Sequence, residues 1–258
     1  MSRMFTICTI FICILHAIVG CISYPDAGSE VWMELPAHAD TDCIIEYNGY
    51  TVSYDEAARI PAWVAYELTS EEANGTIGRS GKNFRPDDKA KVVQSDNYDY
   101  RSSGWSRGHM APAGDFKWDD GAMRDTFFYT NCCPQDEKMN NGSWHVLENK
   151  VRTWARQFGS VFVVTGPILG QNQGGKIGPH QIMVPDAFFK ALLVYKDESY
   201  HGIAFVMFNN PTTQRLPDSY LSINELEKLS GLDFFPSLDD SIEETIEDEV
   251  DLKFWNIR

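Results

Sequence analysis

Trp144, Leu147, Val151, Trp154 and Phe158 recur at spacings of 3, 4, 3 and 4. Only a helix gathers such positions onto one face, and bulky rings on that face need a broad apolar surface to pack against. Asn140-Asn141-Gly142 ahead of the stripe predicts a side-chain cap, and Gly159 predicts its end. A chain with this element must therefore supply an extended apolar partner for it.

Segments dense in aromatic and β-forming residues provide candidates. Ala62–Leu68, Thr126–Cys133 and Val161–Thr165 read as buried strands, the third ended by Gly166-Pro167. Phe188–Tyr195 and Gly202–Phe208 make two more, and a shorter helix is predicted over Ile223–Ser230, ended by Gly231. Many strands with few helices point to an α+β domain around a largely antiparallel sheet. With 258 residues, 43% hydrophobic and 13% aromatic, the chain can bury a real core, which excludes wholesale disorder.

The ends read differently from the middle. Residues 1–23 hold a short basic start and an apolar run, Phe5–Gly20, too short for most membrane spans. They are expected to form a secretory signal peptide, with an uncleaved membrane anchor as the alternative. Residues 24–43 form an acidic segment, and 237–258 an acidic tail in which Leu238–Leu252 carries eight carboxylates and no base. That tail is expected to be solvated, mobile chain; the alternative is an internal phosphate mimic occupying a basic groove. Outside the leader only Cys43, Cys132 and Cys133 remain, so neither a disulfide framework nor a CxxC metal spacing follows. Sequons stand at Asn74 and Asn141.

The formal charge of −15 argues at first against a nucleic-acid partner. Its distribution reverses that. Tyr24–Glu72 carries 11 acids against Arg59, and Ser237–Arg258 eight acids against two bases. Ala73–Pro236 is neutral, and Arg79–Phe158 is slightly positive, with 13 bases and 11 acids. A phosphate substrate is thus not excluded, although affinity is expected to be modest and salt-sensitive.

Candidate chemistry lies within that positive stretch. Ser106-Arg107-Gly108-His109 is followed by Asn131-Cys132-Cys133-Pro134-Gln135 and then by Asn140-Asn141-Gly142-Ser143-Trp144-His145-Val146-Leu147-Glu148, with Arg152 beyond. Glu148 and Arg152, at i and i+4 and off the apolar stripe, can support one polar surface; the alternative is an ordinary surface ion pair. Upstream lies Arg79-Ser80-Gly81-Lys82-Asn83-Phe84-Arg85; downstream lie Val163–Pro167, Val184–Lys190 and Ser230–Phe235. In this order and spacing, the set resembles the DNA/RNA non-specific endonucleases, most closely their endonuclease G branch, over residues 44–236.

The resemblance implies a ββα-metal nuclease fold: sheet layers, a hairpin carrying the histidine and a long helix carrying the metal site. It further implies a sugar-non-specific, Mg²⁺-dependent endonuclease, with Mn²⁺ a possible substitute, that hydrolyses DNA and RNA to 5′-phosphate products. His109 would be the general base and Asn140 the direct metal ligand, with Glu148 acting through water. Arg79, Arg107 and Arg152 would neutralise phosphate oxygens, and Asn131 would orient the His109 loop. A soluble mature domain, a possible homodimer and, as an alternative to secretion, the mitochondrial intermembrane space also follow from the family. Ser106 departs from the family pattern, because the signature has Asp there. A catalytically weakened or silent nucleic-acid-binding protein of the same fold is therefore the alternative.

Overall fold

Four of the five expected strands join three that were not expected, β1, β2 and β11, in a seven-stranded antiparallel sheet of order β1-β2-β3-β6-β9-β10-β11. The structure is a computed structural model, and it describes residues 33–40, 42–170 and 174–257. The segment read as a signal peptide lies outside these residues. In chain order the strands are β1 (Ile44–Tyr47), β2 (Tyr50–Asp55), β3 (Ile60–Thr69), β4 (Ser106–His109) and β5 (Cys132–Gln135). There follow β6 (Ser160–Ile168), β7 (Lys176–Ile177), β8 (Ile182–Met183), β9 (Ala187–Lys196), β10 (Ser199–Phe208) and β11 (Tyr220–Leu221). β4 pairs with β5, and β7 with β8, outside the large sheet.

The helices are α1 (Asn97–Tyr100), α2 (Asp120–Asp125), α3 (Glu137–Met139), α4 (His145–Phe158), α5 (Ile223–Ser230), α6 (Asp240–Asp248) and α7 (Leu252–Trp255). They cover the sheet on both faces, and strand alternation decides which residue meets which layer. On β9, Phe188, Leu192 and Val194 join the core beneath α4, while Phe189, Ala191 and Leu193 join the core beneath α5 and α6. This two-sided burial explains why the central strands read as continuous apolar runs. Lys190 shares its parity with Phe188 and Leu192, so its ammonium is carried toward the α4 side.

Four readings require correction. Thr126–Cys133 is not a strand: Thr126 ends α2, with its Oγ1 donating to Met123 O at 2.8 Å, and Tyr129–Asn131 is a 3₁₀ turn. Only Cys132 and Cys133 belong to a strand, at the start of β5, while Phe128 makes an isolated bridge to Arg85. The aromatic run signalled burial, which a loop achieves when a buried side chain satisfies its backbone. Asn131 Nδ2 does so, donating to Thr126 O at 2.9 Å. Secondly, Asn140–Gly142 is not the helix cap. Helix begins at Glu137, capped by Asp136, and runs through a π-helical turn, Asn140–Trp144, into α4. Thirdly, Gly166-Pro167 does not end β6, because Pro167 pairs with Phe188 in the ladder.

The acidic tail is also not solvated chain. Leu238 and Ile246 enter the core under α5, and Trp255 is fully buried on the α4 side, 4.9 Å from Trp154 in an edge-to-face pair. Trp154 Nε1 donates to Trp255 O at 3.0 Å, and Phe254 stacks on Phe158. Leu238 and Ile246 face the core under α5 and Val250 packs on the α4 side, while Ile242 stays exposed, so the charge run concealed scattered anchors on both layers. α5 follows its sequence reading, with a Ser222–Glu225 capping box and Gly231 in the left-handed region at φ 73°.

Candidate active site

The β4–β5 hairpin and the helix after it form one ββα unit. Their register places His109 opposite Cys132, Gly108 opposite Cys133 and Ser106 opposite Gln135. Gly108 is required by close approach: a Cβ there would lie 1.8 Å from Gln135 Oε1. Beyond His109 the chain is fixed by Asn131, whose Oδ1 accepts from Ala111 N at 2.8 Å and whose Nδ2 donates to Ala111 O at 2.9 Å. Met110 N donates to Asn131 O as well. Asn131 thus holds the loop that carries His109, without touching the imidazole.

His109 lies on a cleft of about 1240 Å³, with its ring wedged between Phe84, 4.5 Å away, and Phe127, 4.9 Å away. Nε2 is enclosed with no hydrogen-bond partner, whereas Nδ1 is not enclosed. Burial first, and then the charge of Arg79, push its pKa from 6.5 down to about 3. The ring is therefore neutral at pH 7 and free to accept a proton.

Every other predicted site residue except Asn131 lines the same cleft. Asn140 is presented by the π-helical turn, and its Nδ2 donates to Ser106 Oγ at 3.2 Å, which leaves its carbonyl oxygen for another partner. Ser106 Oγ in turn donates to Gln135 O. Arg107 is exposed and steadied by Asn97 Oδ1 at 2.6 Å, while Arg79 rests on the Phe127 ring at 5.1 Å. Glu148 and Arg152 share the cleft surface but do not form an ion pair with each other. Arg152 instead contacts Asp115 at 2.5 Å and Asn149 at 2.8 Å, while Glu148 faces His145 Nδ1 at 3.6 Å. Asp115 wins because it is almost wholly buried, and a buried carboxylate requires a counter-charge. Its other oxygen accepts from Tyr66 OH at 2.8 Å.

Sequence reasoning missed two residues on the cleft, Asn97 and His145, and two buried beside it, Asp115 and Lys190. Asp115 sits only six residues after His109, and Asn97 steadies Arg107. His145 adjoins Glu148, which raises its pKa by hydrogen bonding. Lys190 is fully buried, its ammonium 4.8 Å from the Trp144 ring and 3.2 Å from Thr165 Oγ. Burial lowers its pKa to about 8. A lysine inside the apolar run Phe188–Tyr195 was the one visible signal.

The Asn140 amide oxygen and the Glu148 carboxylate, which line the same cleft, are the kinds of hard oxygen donor that suit a divalent cation. Asp96, Asp99 and His180 also cluster at ligand spacing. The atoms that face one another are already engaged, because Asp96 Oδ1 caps α1 while Asp99 accepts from His180 N, His180 Nδ1 and Asp96 N. That cluster is a clamp on α1.

Comparison with known proteins agrees with the geometry. A family model described as DNA/RNA non-specific endonuclease matches residues 33–241. "Nuclease EXOG, mitochondrial" of Danio rerio is 36% identical over 239 residues, covering 87% of this chain and 66% of that protein. "Endonuclease G, mitochondrial" of Bos taurus is 33% identical over 202 residues, covering 73% of this chain and 68% of that protein. The chain thus spans about two thirds of the length of each. A chain in the solved EndoG/EndoGI complex superposes with a TM-score of 0.72 at 29% identity, covering 78% of this chain and 89% of that one. A histidine hairpin packed on a long helix, with the family's motifs in register along both, has the ββα-metal nuclease architecture, and the chain belongs to the DNA/RNA non-specific endonuclease family.

Proposed function

We propose that the chain is a metal-dependent endonuclease that hydrolyses phosphodiester bonds of DNA and RNA without regard to sugar. The observation that carries this is the gathering of His109, Asn140 and Glu148 with Arg79 and Arg107 on one cleft. In-line attack by water needs a base, charge neutralisation on the phosphate and a stabilised leaving oxygen. His109 accepts the proton of the attacking water at Nδ1. Arg79 and Arg107 take the phosphate oxygens. Arg152 contributes less charge than its type implies, because Asp115 already neutralises it, and its second contact orders Asn149 on the cleft wall. Contacts to phosphate rather than to base edges make sequence preference slight.

Asn140 would hold Mg²⁺ or Mn²⁺ through its carbonyl oxygen, with Glu148 reaching the ion through water. When bound, the cation supplies Lewis acidity at the scissile phosphate and stabilises the departing 3′-oxygen, giving 5′-phosphate products.

Supercoiled plasmid and an RNA transcript, incubated with wild type and His109→Ala, with and without EDTA, test the proposal. Wild type should degrade both substrates only with metal, and His109→Ala neither. Cleavage retained by His109→Ala would remove His109 as base, and cleavage in EDTA would remove the metal. Ser106 favours one second reading, since it puts a hydroxyl against Asn140 where the family signature has a carboxylate. Wild type that binds nucleic acid and never cleaves it would establish the silent form.

The proposal extends to a homodimer, checked by sedimentation, and to a compartment reached across a membrane by means of the apolar run Phe5–Gly20. The matched EXOG and endonuclease G proteins carry the word mitochondrial in their names. Among the described residues no helix is long and apolar enough to cross a membrane. Fractionation of the full chain, with a glycan check at Asn141, separates the secretory route from the intermembrane space.

A further inference from the structure

The turn of helix at α1 joins two opposite faces. Its inner face is held by Asp99, which is buried and accepts three hydrogen bonds, two of them from His180. Gly178 presses on that carboxylate so closely that a Cβ would lie 2.1 Å from Asp99 Oδ1. The Asp96–Asp99 capping box fixes the turn from its other end. A four-residue helix has little stability of its own, so this clamp is what makes it rigid.

The outer face is bare. Tyr98 is 69% exposed, and its ring takes part in no aromatic pair or hydrogen bond among the described residues. Arg101 stands three residues on and hence on the same side of the turn, exposed and without an ion pair among the described residues. Both line the cleft that holds His109 and Asn140. The other aromatic residues of the cleft are at least partly covered: Phe84 and Phe127 enclose His109, Tyr100 stacks on Tyr129, and Trp105 is half-buried against the core. Between the two faces, Asn97 ties the turn to Arg107 at 2.6 Å and to Tyr129 OH at 2.8 Å. A rigidly held phenol face is therefore continuous with a phosphate-contacting arginine.

We propose that Tyr98, flanked by Arg101, is a stacking platform for an unpaired nucleobase, so that the cleft favours single-stranded DNA or RNA over duplex. This rests on the chain being a nuclease. In a duplex both faces of each base are covered by its neighbours, so a single protein ring can stack only on a base that is unpaired, flipped or terminal. The adjacent guanidinium meets the flanking phosphate, giving the alternation of cation and ring that single-strand grooves use. A tyrosine face is indifferent to base identity, in keeping with non-specific cleavage.

Two measurements test this in the full chain. The first uses the His109→Ala background and a short single strand carrying a fluorescent purine analogue, with its blunt duplex as control. Tyr98→Ala should weaken single-strand binding about 5-fold or more and blunt the fluorescence quenching, while Tyr98→Trp retains both. The second compares kcat/KM on single strand and duplex with His109 intact, where Tyr98→Ala should lower the ratio by a similar factor. Tyr98 is exposed, so thermal melting should be unchanged in these variants. Single-strand affinity and quenching unaltered by Tyr98→Ala would overturn the platform. Wild type that cleaves neither form would instead overturn the nuclease reading, and the binding measurement would still judge Tyr98 by itself.

Discussion

The floor of the cleft and the C-terminal acidic helix each enclose a titratable group, His109 in the first and Glu247 in the second. Burial is the leading cause of the shift at both. It disfavours whichever form is charged, so the histidine falls to about 3 and the glutamate rises to about 7. Neighbours then reinforce burial: Arg79 repels a proton from His109, and Glu227 and Glu243 return one to Glu247. A chain of net charge −15 thus holds a neutral base in its cationic cleft and half-protonated acid in its anionic flank. Local desolvation, not the total charge, sets the chemistry at each place.

The largest expected effect breaks the first member of this pair. His109→Ala should cost about 100- to 10,000-fold in turnover with the fold retained by circular dichroism. The acid limb of the wild-type pH–rate profile should lie well below the usual histidine range, since the folded ring stays neutral down to about pH 3. Stability should move in parallel. As pH falls from 6.5 toward 3, the unfolded histidine takes up a proton that the folded one refuses, so the urea midpoint should drop across that window. A midpoint flat there would show that His109 is not desolvated.

Asp115→Ala comes next, because it leaves Arg152 buried without a counterion. A loss of about 3–5 kcal/mol in urea unfolding is expected, a stability effect at the edge of the cleft that His109→Ala does not produce. On the acidic side, Trp255→Ala should cost about 3–5 kcal/mol by opening a cavity against Trp154. Removing residues 237–258 should for the same reason destabilise the domain, rather than merely strengthen nucleic-acid binding by relieving charge. A truncated chain with unchanged melting would restore the view of the tail as solvated.

The smallest effect sharpens the second member. Glu247 has a folded pKa raised above its ordinary value, so its contribution is fully present below about pH 4.5 and lost as pH rises through about 7. Glu247→Gln should keep the α6 region protected from hydrogen exchange at pH 8, where wild type begins to loosen. Equal exchange in the two proteins would mean that the carboxylates of α5 and α6 do not share protons.

Periodicity made much of this legible. The stripe at Trp144, Leu147, Val151, Trp154 and Phe158 fixes α4, and the apolar runs at Ala62, Val161, Phe188 and Gly202 become β3, β6, β9 and β10. Segments whose polar groups are satisfied by distant partners were misread. Phe127–Asn131 looked extended because nothing local shows that Asn131 will satisfy Thr126 and Ala111 from within a turn. Arg152 looked free to pair with Glu148 because Asp115, 37 residues upstream, is invisible to helical spacing. The C-terminal anchors Leu238 and Ile246 were hidden among eight carboxylates.

The sequence by itself determined the family, the ordered set His109, Asn131, Asn140 and Glu148, and the cationic bias of the central stretch. Each of these lies in residue identity and spacing along one chain. Only the tertiary structure decided that His109 is neutral, that Arg152 is neutralised by Asp115, that the acidic tail is folded and that Tyr98 stands bare on a clamped turn. Those four properties depend on which groups lose water and which gain a partner across the fold, and desolvation energy is a function of three-dimensional neighbours.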